Sequence, residues 1–163
     1  MDGLSLVTAH LLRPATGADE PFLQAVLAGT MEQELAFLPA AFASSIVASR
    51  RLQQAWRMRA KHYGHESLIV LDGQGERAGH LVVDQTDDAI HLLWLALLPE
   101  AQGRGLGSAV LLGVQDRAAA AGVPAIAHGE IDGAAAMLLV RHGFWVDPAA
   151  DRRPVWRPAL AAA

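Results

Sequence analysis

The sequence predicts a single mixed α/β domain with its elements in the order β-α-α-β-β-β-α-β-α-β, and three observations predict it. The chain has 163 residues, enough for one domain to bury a core, and no Pro/Ser/Gly-rich linker, internal repeat or block of like charge divides it. Hydrophobic residues make up 52% and charged residues 18%, a balance that excludes a disordered chain. The hydrophobic period also switches: helical near the N-terminus, strand-like in the middle, helical again after Pro99.

Residues 4–12 are apolar enough for a first strand, which Arg13-Pro14-Ala15-Thr16-Gly17 ends. Asp19 stands at an N-cap position ahead of Phe22, Leu23, Val26 and Leu27, whose helical spacing predicts the first helix. Residues 40–63 give the second. Phe42, Ile46, Val47, Trp56 and Met58 recur along it, and the interleaved arginines leave one face wet. Ser67-Leu68-Ile69-Val70-Leu71 is a short strand closed by Asp72-Gly73-Gln74-Gly75; residues 79–84 and 89–98 follow across Asp87-Asp88. The three form an antiparallel meander. Residues 105–121 are helical, with Leu106, Val110, Leu111 and Val114 on one side and Gly122 and Pro124 at the end. Residues 123–128 read as a strand, 134–142 as a helix, and 144–156 as one or two closing strands.

The charge balance excludes some functions. A net charge of −4 argues against a general nucleic-acid binder, which needs a basic face to displace counterions. The chain has no cysteine, hence no disulfide framework and no cysteine–zinc site. Residues 1–12 lack the basic region and long apolar run of a signal peptide, and nowhere do about 18 apolar residues run together as in a membrane span. A cytoplasmic location, with neither nucleic acid nor membrane as partner, is the expectation.

Chemistry concentrates in residues 92–108, a buried strand, a glycine-rich turn and an amphipathic helix. Gly103, Gly105 and Gly107 permit a tight turn and close approach of a ligand. The free amides of the first helical turn, aided by the helix dipole, make an anion site, and phosphate is the expected guest. A Walker loop needs G-x-x-x-x-G-K-[ST], and this segment has no lysine; Lys61 is the only one in the chain. A Rossmann turn needs G-x-G-x-x-G opening a βαβ unit, whereas here the glycines alternate after an antiparallel meander. Both fail on spacing and context.

Gln102-Gly103-Arg104-Gly105-Leu106-Gly107 resembles the Q/R-x-x-G-x-G/A signature of the GNAT superfamily of N-acetyltransferases. Leu12-Arg13-Pro14-Ala15-Thr16 looks like that family's first-strand ending, and Pro99-Glu100 sits between the fourth strand and the signature. His142-Gly143-Phe144 looks like the x-G-F that closes its last helix, so the resemblance covers essentially the whole chain. It implies a central mixed, mostly antiparallel sheet flanked by helices. It also implies acetyl-CoA as cosubstrate in a V-shaped gap between the fourth and fifth strands. By the same resemblance the backbone of Leu95 and Leu97 pairs with the pantetheine arm. The amides of Gln102, Gly103, Arg104, Gly105, Leu106, Gly107 and Ser108 would then hold the pyrophosphate. The leucine side chains themselves are core. Arg104 either adds charge near the phosphates or is a solvated arginine on a turn.

Acetyl transfer to an amine needs a deprotonated nucleophile, because an alkylammonium of pKa ~10 has no lone pair. The resemblance makes Leu97 N–H the donor to the developing oxyanion. His91, eleven residues before Gln102, is the candidate base, at the spacing where histone-type members carry a glutamate. An ordinary imidazole pKa near ~6.5 suits that role. The other reading of His91 is an exposed histidine that opens a strand after Asp87-Asp88. Glu130, past the fifth strand, and Glu34, in the loop between the first helices with Glu32 nearby, are candidates to contact a cationic amine or relay protons, or are plain surface carboxylates. His128 leads toward the same strand end. His128 and Glu130 have no third ligand in sequence, so no metal site is expected.

The family's last helix often carries N-x-x-A-x-x-x-Y-x-x-x-G-F, with tyrosine protonating the CoA thiolate. Here Asp132 occupies the asparagine position and Leu139 the tyrosine position, and Tyr63 is the only tyrosine in the chain. A positioned acid contributes ~10²–10⁴ in rate, yet a thiolate of pKa about 8.5 leaves tolerably without one. His142, at the helix end, is a weak substitute. Two functions therefore stand: an N-acetyltransferase acting on a primary amine of a small molecule, peptide or protein, and an acyl-CoA-binding regulatory module without efficient transfer. Trp145, Val155 and Trp156 belong either to a homodimer strand or to the core.

Overall fold

The computed structural model describes residues 10–129, 131 and 133–159. Its strands are β1 (Leu12–Pro14), β2 (Glu66–Leu71), β3 (Arg77–Gln85), β4 (Ile90–Leu97), β5 (Ala125–Ala127), β6 (Trp145–Asp147) and β7 (Arg153–Trp156). The helices are α1 (Glu20–Thr30), α2 (Glu32–Leu35), α3 (Ala40–Lys61), α4 (Leu106–Ala121) and α5 (Gly133–Arg141). One seven-stranded sheet runs β1-β2-β3-β4-β5-β7-β6. Every neighbouring pair is antiparallel except β4–β5. This is the mixed, mostly antiparallel sheet expected.

Strand alternation divides the core into two layers. Leu81 and Val83 of β3, with Ile90 and Leu92 of β4, pack on Val110, Leu111 and Val114 of α4 and Leu139 of α5. On the other face Leu27 and Met31 of the α1 region, Val47 of α3 and Trp94 of β4 form a second cluster. The turn before α4 is anchored by Ala101 and Leu106 against Ala78. No helix among the described residues is long and apolar enough to cross a membrane.

Three local expectations are corrected. Residues 4–9 of the expected first strand lie outside the described residues. β1 runs through Arg13 and Pro14 instead of ending before them; an edge strand tolerates a residue without an N–H. Asp19 is the N-cap residue of α1, as expected, but its side chain makes no capping bond to the helix. It turns back to accept from Thr16 N–H at 2.9 Å and from both terminal nitrogens of Arg13 at 2.7 and 2.8 Å. A short additional helix, α2, replaces the loop assigned to Glu34. Along α3 only Val47 is buried, and Phe42 and Trp56 are mostly solvent-exposed, so the apolar residues do not all face inward. At the C-terminus two strands close the sheet, with Val155 buried and Trp156 packed on the core.

Candidate active site

The site begins where β4 and β5 part. Three residue pairs join them, ending at Leu92 and Ala127, and His128 N–H then donates to Leu92 O at 2.9 Å. Beyond that point β4 continues to Leu97 without a partner on this side. A bulge coincides with the parting: Val82 pairs with Trp94 and Val83 with Leu92, so Leu93 is an extra residue. Such an insertion bends the strand and increases its twist. It also shifts the alternation, so Leu95 and Leu97 share the α4 face with Ile90 and Leu92. A cavity of about 180 Å³ fills the gap, walled by Leu92, Leu93, Leu95, Leu111, Ala127, His128, Ile131 and Leu139 among others.

The backbone of β4 presents hydrogen-bonding groups to this gap. Leu98 N–H donates to Ala78 O at 2.8 Å, toward β3. In an antiparallel ladder the direction alternates, so Ala96 and Trp94 also face β3, while the amides and carbonyls of Leu95 and Leu97 point away from it. The Leu97 carbonyl is met there by Gln102 Nε2 at 3.2 Å.

After Leu97 the chain makes the 3₁₀ turn Pro99–Ala101 and reaches Gly103 and Gly105 at φ +71° and +82°. A side chain there would be strained, and the space beside both is open. Gly105 caps α4, whose first internal bond is Ala109 N–H to Gly105 O at 3.0 Å. The amides of Leu106, Gly107 and Ser108 therefore have no intrahelical acceptor, as at any helix start, and together with the dipole they suit an anion. Arg104 is exposed on this turn. One of the expected contacts changes. Gln102 N–H is spent on Pro99 O at 3.2 Å, so the free amides begin after it. Gly107 keeps its free amide, and its lack of a side chain also leaves room for α5: a Cβ there would come 3.1 Å from Leu138 Cδ2. Ser108 Oγ lies 3.0 Å from His142 Nε2, which occupies His142 away from the cavity.

At the other end of the gap stand three histidines. His91 Nδ1 and His128 Nε2 are 2.8 Å apart, and His62 packs against both, with ring centroids at 5.3 and 5.4 Å. His62 Nδ1 is 2.9 Å from Oδ2 of Asp84, which is buried. Burial pushes His128 down to about 4, helped by the cation of Arg153, and burial likewise lowers His91. Both are neutral near pH 7. Of the two, His128 lines the cavity and His91 stands behind it, between His128 and Thr86. Sequence reasoning missed His62 and Asp84. The one available signal was a carboxylate ending the apolar run Leu81-Val82-Val83.

Of the acidic candidates, Glu34 is not brought here. Glu34 pairs with Arg50 at 2.9 Å on the surface between α2 and α3, and Glu130 lies outside the described residues, as does Asp132. Leu139 is buried in the cavity wall with no hydroxyl to offer. Among the described residues no group of His, Asp or Glu is arranged to hold a metal ion.

A sequence profile of the acetyltransferase (GNAT) family matches residues 32–144. No curated protein matches the chain in sequence. Solved structures share the fold. A PaiA N-acetyltransferase from Thermoplasma acidophilum in complex with coenzyme A superposes with a TM-score of 0.61 at 15% identity, covering 88% of this chain and 94% of that one. A histone acetyltransferase and related acetyltransferase from Corynebacterium glutamicum gives 0.59 at 22%, covering 93% and 97%. A GNAT family acetyltransferase from Elizabethkingia anophelis with acetyl-CoA bound gives 0.52 at 16%, covering 90% and 79%.

Proposed function

The chain belongs to the acetyltransferase (GNAT) family, and from that premise we propose that it transfers an acetyl group from acetyl-CoA to a primary amine of a small molecule, peptide or protein. The amine attacks the thioester directly in a ternary complex. The observation that carries this reading is the parting of β4 from β5 at Leu92, beside a helix start with unpaired amides. The solved relatives with coenzyme A or acetyl-CoA bound support the choice of cosubstrate.

In this reading the amides after Gln102 hold the pyrophosphate, with Arg104 nearby, and the outward backbone of Leu95 and Leu97 pairs with the pantetheine arm. Leu97 N–H stabilises the oxyanion, where a preorganised donor is worth a few kcal/mol (~10²–10³ in rate). His91 and His128 stand at the acceptor end as neutral imidazoles. Leu139 gives the departing thiolate no acid, so the thiolate takes its proton from water. That missing hydroxyl also favours the second reading, an acyl-CoA-binding regulatory module without efficient transfer. A homodimer through the edge strand β6, where Trp145 and Val146 are exposed, belongs to the same proposal and is checked by light scattering.

Calorimetric titration with acetyl-CoA, followed by thiol release against a panel of amines, separates the readings. Binding with amine-dependent thiol release establishes the transferase. Binding without it across the panel favours the regulatory module, and no binding removes both.

A further inference from the structure

Four titratable side chains meet at the acceptor end of the cleft from four elements: His62 after α3, Asp84 on β3, His91 on β4 and His128 after β5. Thr86 Oγ1 stands 3.4 Å from His91 Nε2, but it already accepts from the amides of Asp88 and Ala89 at 3.4 and 3.2 Å, so the hydroxyl leaves either His91 tautomer open. His91 Nδ1 and His128 Nε2 share one hydrogen bond across 2.8 Å, and a proton relay takes the order in which the His91 proton sits on Nε2 and Nδ1 accepts from His128 Nε2–H. That leaves His128 Nδ1 without a hydrogen-bond partner among the described residues, on a ring that lines the cavity. Two protons between Nδ1 and Nε2 would set N–H against N–H, so the pair takes up one proton at most. Behind the pair, His62 Nδ1–H donates to Asp84, and Asp84 sits directly across the strands from His91.

Resting on the acetyl-transfer reading, we propose that these side chains form a one-proton relay drawing the amine's proton inward from the cleft. His128 is the group that touches the amine; His91, His62 and Asp84 are positioning residues that act through it. As the N–C bond forms, the C–S bond of the thioester breaks. The surplus proton of the amine nitrogen goes to His128 Nδ1, and the proton on His128 Nε2 crosses to His91 Nδ1. One proton returns through water to the sulfur. Amine and acetyl thioester thus become acetamide and thiol, with nothing left over.

The surroundings favour the inward direction. Desolvation opposes charge on either ring. His128 faces the cations Arg153 of β7 and Lys61 at the end of α3, with His62 and His91 adding to the same effect. His91 also feels His62 and Arg153, but it alone has the Asp84 carboxylate acting in favour of its charge.

The relay is tested on the full chain by histidine-selective ¹⁵N NMR, with no ligand added. Expected are a protonated Nε2 and bare Nδ1 on His128, a bare Nδ1 on His91, and uptake of one proton by the pair, residing on His91. Reversed tautomers, independent protonation of both rings, or stoichiometric zinc in the purified protein overturns the relay. The kinetic arm uses acetyl-CoA with L-lysine, spermidine and benzylamine as probe amines. Asp84→Asn and His62→Gln are expected to lower kcat about tenfold with KM for acetyl-CoA unchanged. Asp84→Asn, which removes the charge that favours protonated His91, moves the acid limb of the pH profile to lower pH. An unmoved limb with weakened acetyl-CoA binding in both variants means a structural role and overturns the relay. If acetyl-CoA does not bind the wild type, the transferase reading falls, and the tautomers still decide the proton arrangement.

Discussion

At the scale of single residues, the glycines of the phosphate turn do different work. Gly105 holds φ +82° with open space where a side chain would go. A non-glycine residue there costs roughly 1–2 kcal/mol in backbone strain, and a large acidic one fills the anion site. Gly105→Glu is therefore expected to weaken acetyl-CoA binding by at least about a hundredfold, with the far-UV spectrum kept; calorimetry reads the first and circular dichroism the second. Gly107 instead admits Leu138. Gly107→Ala should leave binding within a few-fold and change stability by less than about 1 kcal/mol, since Leu138 has only tenths of an ångström to yield. Equal loss of binding in Gly107→Ala and Gly105→Glu would show that Gly107 also faces the ligand. Leu139 offers the opposite experiment. Leu139→Tyr overpacks a buried site at a cost of about 1–3 kcal/mol, but it puts a phenol on the cavity wall. Thiol release with a saturating amine should rise about tenfold or more, read as free thiol. An unchanged rate in a variant that binds acetyl-CoA means the thiolate's protonation does not limit turnover.

At the scale of elements, the bulge in β4 makes the cleft. Gly79 pairs with Leu97 and Val83 with Leu92, so four steps on β3 match five on β4. Deleting Leu93 keeps both end pairs and the inward sides of Leu92, Leu95 and Leu97 while restoring a regular ladder. The deletion variant is expected to fold, to lose the bend that parts β4 from β5, and to bind acetyl-CoA at least about tenfold more weakly. Wild-type binding would place the opening elsewhere. The resemblance implied the gap, but the bulge that opens it was not legible in the sequence, because Leu92-Leu93-Trp94-Leu95 is apolar throughout and has no alternation to break. The meander was legible because Asp72-Gly73-Gln74-Gly75 and Asp87-Asp88 punctuate it, and the phosphate turn because its glycines are needed for backbone conformation. The four-residue α2 has a single apolar residue, Leu35, and carries no period. His62 joins His91 only through where a 22-residue helix ends, and local spacing cannot report that.

At the scale of the whole molecule, the buried histidines tie stability to the same pH range as the chemistry. His80 is buried in the sheet, with Nε2 2.9 Å from Ser67 Oγ; burial, seconded by the cation of Arg51, pushes it down to about 4. His128 is displaced to a similar value, chiefly by burial. Between these values and the unfolded value of about 6.5, the unfolded chain binds more protons than the folded one, so stability rises with pH across the window. The contribution is complete above about pH 6.5 and is lost as pH falls toward about 4. For His80 the displacement amounts to roughly 3 kcal/mol. Asp19 acts in a lower window. Arg13 and the Thr16 amide hold its carboxyl well below the usual range, so its contribution is present above about pH 4 and disappears in stronger acid. The melting temperature is therefore expected to decline from pH 7 to pH 4.5 at constant ionic strength. His80→Gln, which retains a hydrogen-bonding group for Ser67 but cannot titrate, should flatten a substantial part of that decline. Because His80 lies away from the cavity wall, the same variant should leave the pH profile of acetyl transfer where it was. A melting curve as steep as that of the wild type would remove His80 as the source. A shifted activity profile would mean instead that the sheet transmits its charge to the relay.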